Sequence, residues 1–173
     1  ETGVAQYLRD ARIAPIYAGT NGIQALDLTL KKIHIDEGKI VNNLFDEMIS
    51  VSNELNKSDI LSKLTESYQF HIKNLMESTE KVRKLMINGN QKSISGFASA
   101  YTKMFGQVLG GYYMAKAAVI ADKKYKETGE EYYKDKITLS KFYIEQLLPL
   151  SATNMPPIDC DVDDLFSIKN EDF

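Results

Sequence analysis

Gln91 to Glu127, QKSISGFASAYTKMFGQVLGGYYMAKAAVIADKKYKE, is the stretch whose reading decides the fold. Ile94, Phe97, Tyr101, Phe105, Val108, Tyr112, Ala115 and Val119 recur three or four residues apart, the period of one face of an α-helix. Asn88-Gly89-Asn90 stops whatever precedes it and Thr128-Gly129 ends it, so the spacing predicts one uninterrupted helix of unusual length. Its most apolar part, Val108 to Ala121, falls short of the roughly 20 residues needed to cross a bilayer and reads as a buried helix. Gly106, Gly110 and Gly111 in its middle each cost roughly 1 kcal/mol of helix propensity against Ala. A close crossing with another helix is the reason to keep them.

Working outward, the other segments carry the same period. Gly3 to Asp10 reads as the end of a helix, stopped by Pro15, which lacks a donor and disfavours helical geometry in the residue before it. A second helix runs from about Gly22 to Ile33, broken at Asp36 and Gly38. A third, from Lys39 to Leu55, carries a stripe of Ile40, Leu44, Met48, Val51 and Leu55 beside Val41, Phe45 and Ile49, so one face is buried. Asp59 is expected to cap a fourth, which bears Leu61, Leu64, Tyr68, Leu75, Val82 and Leu85. After the long helix a last one, from about Glu131 to Leu148, carries Ile137, Phe142, Ile144 and Leu147 and is expected to stop at Pro149. The acidic, proline-marked tail from Asn154 to Phe173 has room for one helical turn around Val162 to Ile168. No strand alternation or internal repeat interrupts the pattern, and the expected fold is all-α, an antiparallel helical bundle with short connections.

The 173 residues suit one domain, or a domain and a fragment. The net charge of −3 is modest, and acidic and basic side chains alternate along helical faces. That leaves no basic stripe for a nucleic-acid partner. A lone Cys160 excludes an internal disulfide framework, which agrees with a cytoplasmic location. Glu1-Thr2-Gly3 is unlike a natural start and no signal segment follows it, so the expectation is a piece of a longer protein.

Named chemistry concentrates in Tyr7 to Leu28, YLRDARIAPIYAGTNGIQALDL. A charged helix end with Arg9, Asp10 and Arg12 leads through Ile13-Ala14-Pro15-Ile16-Tyr17 to a small-residue turn, Ala18-Gly19-Thr20-Asn21-Gly22. A new helix follows, with Ile23, Leu26, Leu30 and Ile33 in period. Thr20 or Asn21 is a suitable N-cap, and the free N–H groups of the first turn can receive an anion or a carbonyl oxygen. Arg9, Asp10 and Arg12 read as an ion-pair cluster that orients the turn.

At Arg9-Asp10, Arg12-Ile13, Ile16-Tyr17, Gly19-Thr20-Asn21 and Ile23-Gln24 the chain resembles the last catalytic-domain segment of the acyl-CoA dehydrogenases, FAD enzymes that oxidise an acyl-CoA to the 2,3-enoyl-CoA. A second, looser likeness runs from Gly96 to Leu165. Through Tyr101-Thr102-Lys103-Met104-Phe105-Gly106-Gln107-Val108 and Tyr143-Ile144-Glu145-Gln146-Leu147-Leu148-Pro149 it is similar to the helical extension of the branch that includes the 3-methylthiopropanoyl-CoA dehydrogenases. The resemblance divides the chain into the end of the catalytic α-domain, residues 1–35, and a helical extension, 36–173. It implies FAD contacts at Thr20, Asn21 and Gly22, acyl-CoA contacts at Tyr17 and Gly19, and a thioester-oxygen donor in the backbone N–H of Ala18. It further implies electron-transfer flavoprotein or a similar acceptor, and a homodimer or homotetramer.

Ala18 stands where many members carry the catalytic glutamate, and a methyl group takes no proton. General-base catalysis contributes about 10² to 10⁴ in rate, so three explanations are open: an engineered replacement, a base relocated to an upstream helix, or a silent paralogue. The chain alone is expected to be inactive. The competing class is a non-catalytic helical interaction or assembly module in which the turn is only a corner.

Other constellations are weaker. His34 and His71 lie on separate helices without carboxylates at ligand spacing, so no metal is expected. Asp159, Asp161 and Asp163 begin like a calcium loop, but Asp164 and Asn170 stand where that loop needs glycine and glutamate. Gly106 to Gly111 lacks the lysine and hydroxyl of a phosphate loop.

Overall fold

The computed structural model describes residues 3–13, 20–160 and 167. Its axis is the helix expected from the opening stretch, here α5 (Gln91–Thr128), 38 residues and about 57 Å long. Asn90 caps it by accepting from the Ser93 N–H at 3.3 Å. Along α5 the buried positions 94, 97, 101, 104, 108, 111, 115, 118 and 122 step by three and four in strict alternation. That is the seam of a helix lying nearly parallel to its neighbours.

Two earlier helices lay matching seams beside it. In α3 (Lys39–Asn56) the buried residues are Val41, Phe45, Met48, Ser52 and Leu55. In α4 (Thr65–Ile87) Tyr68, Ile72, Leu75, Thr79 and Val82 are buried in the same rhythm. A short 3-10 turn, Ser62–Leu64, joins them. Leu61 and Leu64 fill the corner, and Asp59 does not act as a cap; Ser58 Oγ instead accepts from the Ile60 N–H at 3.3 Å. The stripe of α3 is turned from the one expected. Ile40 is 58% and Ile49 41% exposed, while Ser52 is buried, because Val41 and Phe45 together outweigh Ile40 and Leu44 in the seam.

Ahead of the bundle lie α1 (Val4–Ala11), with no buried residue, and α2 (Thr20–Leu30), which packs on α5. Between α2 and α3, Lys32–Gly38 contains three successive residues in the left-handed region, Asp36 (φ 52°), Glu37 (φ 57°) and Gly38 (φ 83°). Arg83 of α4 fastens this turn by donating to the Glu37 carbonyl at 2.7 Å. Its guanidinium lies so close over Gly38 that a Cβ there would meet Cζ at 2.6 Å.

Past Gly129, α6 (Glu131–Phe142) folds back along α5. The run that starts at Glu131 ends at Leu147, beside the expected stop at Pro149, but the chain stays helical beyond it. A π turn, Tyr143–Leu147, passes into a 3-10 segment, Leu148–Asn154, and then α7 (Met155–Asp159). Pro149, Pro156 and Pro157 all sit in first turns, where a missing N–H removes no helical bond. Two of the three α5 glycines serve the close crossing. Gly111 faces Leu148 and Gly110 faces the Tyr143 ring, whereas Gly106 has open space above it. Val162, which was expected to open a further turn, lies outside the described residues. Among the described residues there is no strand, and no helix is long and apolar enough to cross a membrane.

Candidate functional site

α2 is built with one face committed and the other free. Ala25 and Thr29 are buried, and Leu28 and Leu30 pack on the core. Thr29 Oγ1 donates to the Ala25 carbonyl at 2.7 Å, and the Thr29 carbonyl receives His34 Nε2 at 2.9 Å. A carbonyl only accepts, so His34 carries its proton on Nε2. Asp27 lies within ion-pair reach of Lys31 (3.9 Å) and Lys32 (3.6 Å). The last turn is thereby tied down, which fixes the direction in which the first turn points.

The first turn is open. Asn21, Gly22 and Ile23 are exposed, and a Cβ placed on Gly22 would meet no atom within 4 Å. No acidic side chain occupies the turn. Its leading N–H groups have no acceptor within the helix and carry the positive end of the helix dipole. Phosphate or a polarised carbonyl oxygen suits such a corner. The helix begins at Thr20, so Thr20 and Asn21 are its first two residues rather than its cap. Tyr17, Ala18 and Gly19 lie outside the described residues.

The expected cluster of Arg9, Asp10 and Arg12 is not formed among the described residues. Gln6 stands in the middle instead, donating through Nε2 to Asp10 at 2.7 Å and accepting from Arg9 Nη2 at 2.7 Å. The cause is helical geometry: Gln6 faces Arg9 and Asp10 at spacings of three and four, while the adjacent Arg9 and Asp10 diverge.

Sequence reading missed several polar groups inside the bundle. Ser151 Oγ lies 3.0 Å from His71 Nδ1, the shape of a nucleophile and its base, but both residues are buried and closed to any substrate. Burial pushes the His71 imidazole toward its neutral form. Tyr112 donates to Glu47 Oε2 at 2.8 Å and accepts from Lys116 at 3.2 Å. The four-residue spacing of Tyr112 and Lys116 was a legible hint; Glu47, 65 residues earlier, was not. Among the described residues no group of three or more His, Cys, Asp or Glu side chains is placed to hold a metal ion.

Residues 43–168 match the family model described as acetyl-CoA dehydrogenase C-terminal like. The chain belongs to the acyl-CoA dehydrogenase family. Within it, this member is 28% identical over 156 residues to the 3-methylmercaptopropionyl-CoA dehydrogenase of Ruegeria pomeroyi, a match covering 86% of the chain and 25% of the relative. It is 24% identical over 157 residues to the butyryl-CoA dehydrogenase of Syntrophomonas wolfei, with the same two coverages. This acyl-CoA dehydrogenase chain therefore spans about a quarter of the length of the curated relatives it matches. The family-model match covers the seams of α4 and α5 and that of α3 from Phe45 on, and the open corner of α2 lies ahead of it.

Proposed function

We propose that this chain is the carboxy-terminal portion of an FAD-dependent acyl-CoA dehydrogenase, with residues 1–35 completing the catalytic α-domain and 36–173 forming its helical extension. The observation that carries the reading is the open first turn of α2, set on a chain of this family. In this reading the exposed apolar side chains of α1, Val4, Tyr7 and Leu8, are covered by the rest of the catalytic domain.

The corner fits a dinucleotide: Asn21 and Gly22 are accessible, no carboxylate repels a phosphate, and the helix dipole favours one. FAD, when bound, accepts the hydride that leaves the β carbon of the acyl group. The chain's own residues do the rest from the corner. Thr20, Asn21 and Gly22 hold the cofactor, Gly19 lets the thioester approach, and Tyr17 forms part of the pocket wall. The Ala18 N–H donates to the thioester oxygen as negative charge gathers there, a contribution that no side-chain replacement removes. The α proton must go to a base, and Ala18 cannot be that base. The substrate is an acyl-CoA, the final acceptor is electron-transfer flavoprotein or a similar carrier, and the working form is a homo-oligomer.

The test is Ala18→Glu in the full-length protein, read by flavin reduction on adding acyl-CoA. A gain of about 10² to 10⁴ in rate identifies a lost base. Activity before the substitution identifies a relocated one. Bound flavin with no reduction in either form refutes the dehydrogenase reading. The 173 residues alone are expected to bind no stoichiometric flavin.

A further inference from the structure

α6 carries its larger apolar side chains on the face turned away from the bundle. Where it packs on α5 it buries Ile137 and Ser140, and the chain beyond continues that inner face with Ile144 and Leu148. On the outer face Tyr132 is 60%, Phe142 54%, Leu139 52% and Leu150 48% exposed. A helix that is apolar on two opposite sides belongs between neighbours on both.

The outer face also has the rhythm of a seam. Positions 132, 135, 139, 142, 146 and 149 step by three and four in alternation, as the buried positions of α5 do. Such a stripe fits a second helix laid lengthwise along it. The stripe is complementary to itself when turned end for end, as a two-fold interface requires. A two-fold axis midway between Ser140 and Lys141 sets Leu139 against Phe142 of a second copy, and Tyr132 against its Pro149 with Leu150 beside it. The same axis sets Asp135 against Gln146 of the second copy, whose amide donates to the carboxylate. At the flanks Lys136 comes to Tyr143 and Thr138 to Glu145, so no like charges meet. Laid parallel, the stripe would set Asp135 on Asp135.

The area agrees with a weak, specific contact. At these exposures the four apolar side chains offer about 400 Å² per copy, an aromatic side chain accounting for about 150–250 Å² when fully covered. The polar flanks extend this toward the roughly 500–800 Å² per partner of small specific interfaces. We propose that two copies of this chain pair antiparallel along the outer face of α6. The pairing stands on this face alone and does not rest on the flavin reading.

The experiment is sedimentation equilibrium of the 173-residue chain, whose bundle has its own core, from about 1 μM to 1 mM. A monomer–dimer equilibrium within that range is expected. Leu139→Glu leaves the inner face untouched and should weaken the dimer about thirtyfold or more, since two half-covered leucines are lost at once, with the urea midpoint of the monomer unchanged. Gln146→Lys places an ammonium opposite Asp135 of the second copy and should tighten the dimer about two- to tenfold. In a parallel pair the same substitution sets two ammonium groups together and loosens it. A chain that stays monomeric throughout, as it would if this face belongs to another part of the protein, overturns the proposal. A dimer that ignores Leu139→Glu, or one that Gln146→Lys leaves unchanged or loosens, overturns it equally.

Discussion

Gly110→Ala and Gly106→Ala, one helical turn apart on α5, are expected to move stability in opposite directions. A Cβ on Gly110 would lie 2.2 Å from Tyr143 Oη and 2.9 Å from its Cζ, so the ring must withdraw. The Tyr143 hydroxyl then gives up the Gln107 carbonyl, which it reaches at 3.1 Å. The lost bond costs about 0.5–1.5 kcal/mol and the overpacking about 1–3 kcal/mol. Alanine returns about 1 kcal/mol of helix propensity. The balance is roughly 2 kcal/mol of destabilisation, or about 4–8 °C in Tm for a chain of this size. At Gly106 no atom lies within 4 Å of the new methyl, so only the propensity gain remains and Tm should rise by about 2–4 °C. Thermal and urea unfolding followed by circular dichroism measure both. Adding Tyr143→Phe to Gly110→Ala removes the nearest atom but leaves the ring carbon, so partial recovery is expected from the double variant. Equal gains from both alanines would refute the close approach of Tyr143 to α5.

Two further outcomes follow from named contacts. Gly38→Ala should cost about 2 kcal/mol or more, because φ is +83° there and the added Cβ falls 2.6 Å from Arg83 Cζ; Arg83→Ala in the same chain should relieve the clash but not the backbone strain, as judged by urea midpoints. For His71, burial lowers the folded-state pKa below that of the unfolded chain, about 6.5. Below that pH the unfolded chain binds the proton first, so this stabilisation is complete above the unfolded pKa and is lost as pH falls through the folded one. His71→Gln should flatten the decline in urea midpoint between about pH 7 and pH 5; a decline as steep as in the parent would place the responsible group elsewhere.

Sequence alone carried the helices well where local chemistry marks their ends. Asn88-Gly89-Asn90 and Thr128-Gly129 fixed α5 to within a residue of Glu127, since both signals act over a single turn. The α3 stripe came out turned because a binary apolar pattern gives Ser52 no weight, although it fills the seam position between Met48 and Leu55. Pro149 marked the end of the run from Glu131 but not the 3-10 segment that starts beside it, because a proline in a first turn interrupts nothing and whether a first turn begins there depends on how the chain leaves the π turn. Partnerships such as His71 with Ser151, 80 residues apart, have no local sign at all.

The start of α2 and the buried Asp122 differ in how each could be read. The start of α2 was legible because its signals are neighbours in sequence, Thr20, Asn21 and Gly22 standing directly ahead of Ile23, Leu26 and Leu30 in helical period, and Asn21 and Gly22 are accessible there. Asp122 was illegible for the opposite reason. One acidic residue among Lys123, Lys124 and Lys126 reads as part of a solvated helical face. Only the alternation of three and four, counted from Ile94 through Ala118, carries it into the seam. The count was available in the sequence, but its meaning depended on α3 lying alongside, with Ser58 and Leu61 closing the space that Asp122 lines.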